Sequence, residues 1–170
     1  MDLAWLQQTP ASRDAPAARK VAEQLRAALD TAEVKGALTA IPAIGGTSHQ
    51  VDAVVQPYAE LLGFSSQKTT LFGDYPVALR PDWYRPLGRS SGIILEVERG
   101  KAVTNNMDLL DLWKCHICRE AHHLFIVVPN VVRRNYGTES VYPRVVTRLA
   151  TFFATGNETN VRSVAVFGYD

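Results

Sequence analysis

The sequence predicts an α/β fold: a central mixed sheet with helices against its faces. Two observations carry this expectation. Segments of helical periodicity and short β-branched apolar runs follow one another in the order α, α, β, β, β, α, β, α, β. The run 124–128, Leu-Phe-Ile-Val-Val, is apolar throughout, which suits a strand covered on both sides. A chain of 170 residues is long enough to bury a real core in one domain.

Residues 1–16 read as a flexible lead, since 9–16 is rich in small residues and proline, although Leu3, Trp5 and Leu6 are able to dock. A single domain then spans 17–170. Val21, Leu25, Ala28, Leu29 and Ala32 fall at helical spacing, so a helix is expected over about 16–34, with Gly36 as its stop. After the loop 41–46, Thr47 or Ser48 caps a second helix whose buried face is Val51, Val54, Val55, Tyr58, Leu61 and Leu62. Pro57 kinks it or delays its start. Residues 68–72 read as a short strand and 73–76 as a turn. The runs 77–84 and 91–98 then form a hairpin about the turn 86–90. Asn105 or Asn106 caps a helix over about 107–122, and 124–128 is the buried strand. A helix over about 139–154, with Tyr142-Pro143 in its first turn, and a strand over 161–167 close the chain.

Composition is that of an ordinary globular protein, 46% hydrophobic and 21% charged. No apolar run is long enough to span a bilayer, and the N-terminus lacks a signal-peptide pattern, so the expected compartment is the cytoplasm. A net charge of +1 does not by itself mark a nucleic-acid binder. Residues 85–148, however, hold ten Lys or Arg against six Asp or Glu. Four of those acids lie in or near the site developed next, which gives a basic rim around an acidic centre. Ordinary surface variation is the other reading of the same counts.

The segment 92–101 carries the chemistry. Along a strand, successive side chains point to opposite faces, so Ile93, Leu95 and Val97 share one face while Ile94, Glu96 and Glu98 share the other. The hairpin register puts Asp82 roughly opposite Glu96. Three carboxylates on one face repel unless a cation sits among them, and hard divalent ions take all-oxygen sites of this kind. A covered carboxylate pair is costly without such a cation or hydrogen bonds. Against this stands a solvent-facing strand side whose scattered acids are compensated by Arg99 and Lys101.

This constellation resembles the PD-(D/E)xK nuclease superfamily, the restriction-endonuclease-like proteins. Their pattern is an Asp at a strand end, a variable spacer, then Asp or Glu, any residue, and Lys on the next strand. Here the pieces are Pro81-Asp82, a spacer of 13 residues, and Glu96-Val97-Glu98, with Glu98 where Lys is usual. A Glu-x-Glu form is similar to that of some type II restriction enzymes. The family core is αβββαβ with the motif on its second and third strands, which is where the predicted order places it. The likeness covers roughly 48–130 and leaves the last helix and strand as an extension.

The resemblance implies Mg²⁺ or Mn²⁺ held by Asp82 and Glu96, with Glu98 on a second ion or acting as base on the attacking water. It implies a DNA endonuclease, with a restriction or defence role, and a homodimer where both strands are cut. The rival reading keeps the fold without the chemistry, as a catalytically inactive DNA-binding or scaffold protein, because the motif lysine is missing. Lys114 offers a replacement: it lies between the core candidates Leu110 and Ile117, which aims its ammonium inward, and the family often draws a polar residue from this helix. The alternative is a surface pair with Asp111. Glu60, late in the second helix, matches the family's occasional extra metal-site acid or is a surface residue. Arg85, Arg89, Lys101, Arg133 and Arg134 flank the site as phosphate contacts. Cys115, Cys118 and His122 invite a zinc reading, but all fall on one predicted helix, whereas structural zinc ligand pairs come from separate segments. No Gly-rich phosphate loop and no Gly-x-Ser-x-Gly elbow is present.

Overall fold

The computed structural model describes residues 1–66, 75, 80–134 and 137–170. Along the chain these form β1 (Asp2–Gln7), α1 (Ala15–Leu29), α2 (Ala32–Thr39), α3 (Ser48–Leu61), β2 (Ser65–Ser66), β3 (Trp83–Pro86) and β4 (Gly92–Val97). They continue with α4 (Met107–Ile117), β5 (His123–Pro129), β6 (Val131–Arg134), β7 (Gly137–Ser140), α5 (Tyr142–Ala150), a 3-10 turn (Thr151–Phe153) and β8 (Ser163–Tyr169). The main sheet has six strands in the order β1-β8-β5-β4-β3-β2. Its centre is parallel, with β5 between β4 and β8, and its edges are antiparallel.

The three central strands are buried at every position, as their Val, Ile, Leu and Phe content requires of a doubly covered sheet. Alternation sorts their side chains into two cores. Ile93, Leu95, Val97, Phe125, Val127 and Phe167 pack with the inner faces of α1, α2 and α3. Ile94, Leu124, Ile126, Val128, Val164 and Val166 pack with α4 and α5. Each fully buried large side chain contributes roughly 1.5–3 kcal/mol. Glu96 belongs by parity to the second face, so its carboxylate points at α4. This is the central mixed sheet with helices against both faces that the sequence predicts.

Several expectations are corrected. The lead 1–16 is not free over its length: Asp2–Gln7 pairs along β8, where Leu3, Ala4, Trp5 and Leu6 each cover a core edge. The first helix breaks at Asp30, and Thr31 caps a separate α2 by accepting a hydrogen bond from the Val34 amide at 3.3 Å; Gly36 lies inside α2 rather than ending it. The helix over 139–154 shortens because Glu139 is spent in β7, antiparallel to β6, a ribbon the periodicity did not announce. α4 stops at Ile117, since Cys118 takes an extended conformation. Pro57 lies inside α3, and Thr47 and Gln50 form a reciprocal capping box at its start. The strand expected over 68–72 lies outside the described residues, as do most of the 73–76 turn and the first part of the 77–84 strand.

Candidate active site

Antiparallel pairing of Trp83 with Leu95 puts Asp82 beside Glu96, as the hairpin register foresaw. The Asp82 amide donates to Glu96 Oε2 at 3.2 Å, and the Val97 amide donates to Asp82 Oδ2 at 2.9 Å. The Glu96 carboxylate is thus fixed by the backbone just before β3, and the Asp82 carboxylate by the backbone of β4 at Val97. From the facing helix, Lys114 Nζ donates to Glu96 Oε1 at 2.9 Å and to Asp111 Oδ1 at 2.9 Å. Lys114 is buried, and the surface-pair reading of Asp111 and Lys114 does not describe it. The inward stripe of α4 is Asp108, Asp111, Leu112, Lys114 and Cys115. Leu110, expected in the core, lies outside that stripe and is exposed.

The electrostatics are those of a cluster short of positive charge. Burial raises the Glu96 carboxyl well above its ordinary range, with Asp111 and Asp82 adding to the effect and Lys114 opposing it. Burial, then the Asp111 and Asp82 charges, push Glu98 up to about 7. Asp111 is pushed up to about 6, by burial first, against the pull of Lys114. Lys114 is raised, because the Glu96 and Asp111 charges outweigh its own desolvation. Asp82 stays open to solvent, yet neighbouring protein raises its carboxyl, by desolvation and by the Asp52 charge.

Asp52 is the acid that sequence reasoning missed. It sits on α3, and its Oδ1 accepts the Trp83 indole N–H at 2.7 Å. With Asp82, His49, Gln56 and Arg80 it lines a concavity of about 330 Å³. Its place between the buried Val51 and Val55 was the available signal. Glu60, nominated from the same helix, is exposed, and its carboxylate accepts a hydrogen bond from Gln56 rather than meeting the site acids among the described residues.

The donor chemistry suits a hard divalent cation: every nearby acid offers oxygen, and Asp111 Oδ2 is buried with no hydrogen-bond partner among the described residues. The arrangement is not a ready-formed cage. Among the described residues no three acids, histidines or cysteines already face one another as a metal ligand set. The Lys114 ammonium instead stands between Glu96 and Asp111. Cys115 and Cys118 are buried free thiols, with Cys115 directed at the Ala121 carbonyl and Cys118 at Glu120.

Of the flanking cations, Arg89, Lys101 and Arg133 are exposed and Arg85 is half-buried. Arg134 is engaged internally, donating to Glu139 Oε2 at 2.8 Å, to the Gly100 carbonyl at 2.8 Å and to Thr104 Oγ1 at 2.7 Å. No helix among the described residues is long and apolar enough to cross a membrane.

The fold is that of the restriction-endonuclease-like proteins. The solved structure of restriction endonuclease BglII in complex with a DNA 16-mer is similar to 99% of this chain, over 77% of its own length, with a TM-score of 0.53 and 9% sequence identity. No protein-family model matches the chain, and no curated protein matches it.

Proposed function

We propose that the protein is a divalent-metal-dependent endonuclease that hydrolyses DNA phosphodiester bonds. The observation that carries this reading is the Asp82–Glu96–Lys114 contact chain, built from three separate elements and placed where an under-compensated acid cluster meets solvent. Asp82 and Glu96 would hold Mg²⁺ or Mn²⁺, which supplies Lewis-acid polarisation of a phosphoryl oxygen and of water. Glu98 would act as the base on the attacking water, beside the ion rather than on it; in the metal-free protein, burial and the Asp111 and Asp82 charges raise its carboxyl to about 7. Lys114 takes the charge role of the absent motif lysine, facing the negative charge that develops on the phosphoryl oxygens. Asp111 holds the Lys114 side chain in place. Arg89 and Lys101 are exposed at the surface, where they would meet phosphates.

The inactive DNA-binding or scaffold reading rests on one observation, the occupation of Glu96 by Lys114 in place of a ready metal cage. Supercoiled plasmid separates the two readings. The endonuclease nicks it with Mg²⁺ or Mn²⁺ and stops when EDTA is added. Protein that binds DNA but cuts neither single- nor double-stranded substrate with either metal is the scaffold.

A further inference from the structure

The ribbon β6–β7 stands apart from the main sheet and has two unlike faces. Its register pairs Val131 with Ser140 and Arg133 with Thr138 on one face, and Val132 with Glu139 on the other. The first four residues are all exposed, while Val132, Glu139 and Arg134 are half-buried. An isolated two-stranded hairpin is marginal in water. This one is braced along its inner side by Arg134 and Arg144, which both donate to Glu139, at 2.8 and 2.9 Å. Its stems are held as well: the Asn130 amide donates to the Tyr169 carbonyl, and the Val141 amide to the Asn130 carbonyl.

Position links the ribbon to the site. β6 follows directly from β5, whose Val127 carbonyl accepts the Glu98 amide at 2.9 Å. The Arg134 contacts to Gly100 and Thr104 tie the ribbon to the loop that leaves Glu98. Between the ribbon and the loop around Ala43–Gly46 runs a cleft of about 280 Å³ that carries Arg99 and Arg133. Arg99 is held by the Pro42 carbonyl at 2.5 Å, whereas Arg133 makes no hydrogen bond or ion pair among the described residues. A braced ribbon that presents the exposed Arg133 and is tied to the loop leaving Glu98 complements a polyanion whose backbone has to reach those acids.

The geometry points to β6–β7 as the element that reads double-stranded DNA, laying Val131, Arg133, Thr138 and Ser140 against base edges in the major groove. The inference rests on the nuclease reading and adds a specificity element to it. A two-stranded ribbon fits the major groove. The four side chains supply its reading chemistry: an arginine fork for guanine O6 and N7, two hydroxyls that donate or accept, and an apolar contact for a thymine methyl.

The test uses the full chain and a library of randomised duplexes, with wild type, Arg133→Lys, Arg133→Ala and Thr138→Ala, and thermal melting as the fold control. Wild type is expected to enrich a preferred sequence containing guanine. Arg133→Lys keeps the charge but loses the fork. Its affinity for that sequence is expected to fall on the order of 10- to 100-fold, against a few-fold for a scrambled duplex. The same preference in wild type and Arg133→Lys overturns the proposal. So does a wild type that enriches nothing while Arg133→Ala weakens every duplex alike and lowers the salt slope by about one, the mark of a phosphate contact. Plasmid nicking by the same wild-type preparation keeps the two readings distinct: nicking with unchanged preference in every variant sinks the ribbon alone, and neither nicking nor binding sinks both.

Discussion

The Lys114 ammonium sits 2.9 Å from an oxygen of Glu96 and 2.9 Å from one of Asp111, inside the protein. It compensates part of the acid cluster and stands next to an oxygen that a divalent cation would need. Lys114→Met keeps most of the side-chain volume and removes the charge. Calorimetry is expected to show Mn²⁺ binding at least as tight as in wild type, while cleavage falls on the order of 10²-fold. Weaker Mn²⁺ binding would make the lysine a support for the ligands rather than a competitor for them. Glu98 and Asp111 give a second residue-scale prediction. Their folded values, about 7 and about 6, lie above the ordinary 4.5 and 3.8, so the folded protein keeps protons that the unfolded chain has released. The stability these groups contribute is fully present below the ordinary values and is lost as pH rises through the folded ones. Melting in EDTA should therefore show Tm falling from about pH 5 to about pH 7.5, and Glu98→Gln should flatten that slope. Equal slopes would mean that Glu98 titrates alike in both states.

Helix α4 brings Asp111 and Lys114 to the sheet, and its register is set from α5. Asp108 is fully buried, and its Oδ2 lies 3.4 Å from Arg148 Nε. Arg148 also donates to the Val103 carbonyl at 3.2 Å and to Asn106 Oδ1 at 2.6 Å, which holds Asn106 in its left-handed conformation at the start of α4. Arg148→Ala leaves a buried carboxylate without its partner and is expected to cost about 3 kcal/mol in denaturant unfolding. Asp108→Asn in the same chain should recover part of that loss, and no recovery would place the cost in packing instead. The hairpin and the acids were legible in the sequence because period-2 alternation and register follow directly from residue order. Lys114 was expected to point inward and does, but the reason given for it fails in part: Leu110, taken as a core neighbour, is exposed, and the inward stripe runs through Asp108, Asp111, Leu112 and Cys115. The β6–β7 ribbon was not legible. Arg133, Arg134, Thr138 and Glu139 read as polar loop or helix start, and what makes them a ribbon is long-range: the Arg134 contacts to Gly100 and Thr104.

Across the whole molecule, the order of elements announced the sheet and its two helical layers, and the fully apolar β5 announced its centre. The role of β1 as the edge beside β8 was missed, because its burial is partial and depends on a strand more than 150 residues away. Asp52 was missed for a similar reason: only the packing of α3 against β3 puts its carboxylate on the Trp83 indole. The central claim is that this architecture gathers the buried Glu96 and Lys114 with Glu98 beside the solvent-exposed Asp82, and that the protein cuts DNA there. The most direct measurement compares wild type with Glu96→Ala, purified side by side, for Mn²⁺-dependent conversion of supercoiled plasmid to the nicked form. The account predicts that wild type nicks and that Glu96→Ala, folded by thermal melting, is slower by at least about 10²-fold. No cleavage by wild type, or equal cleavage by the two, contradicts it.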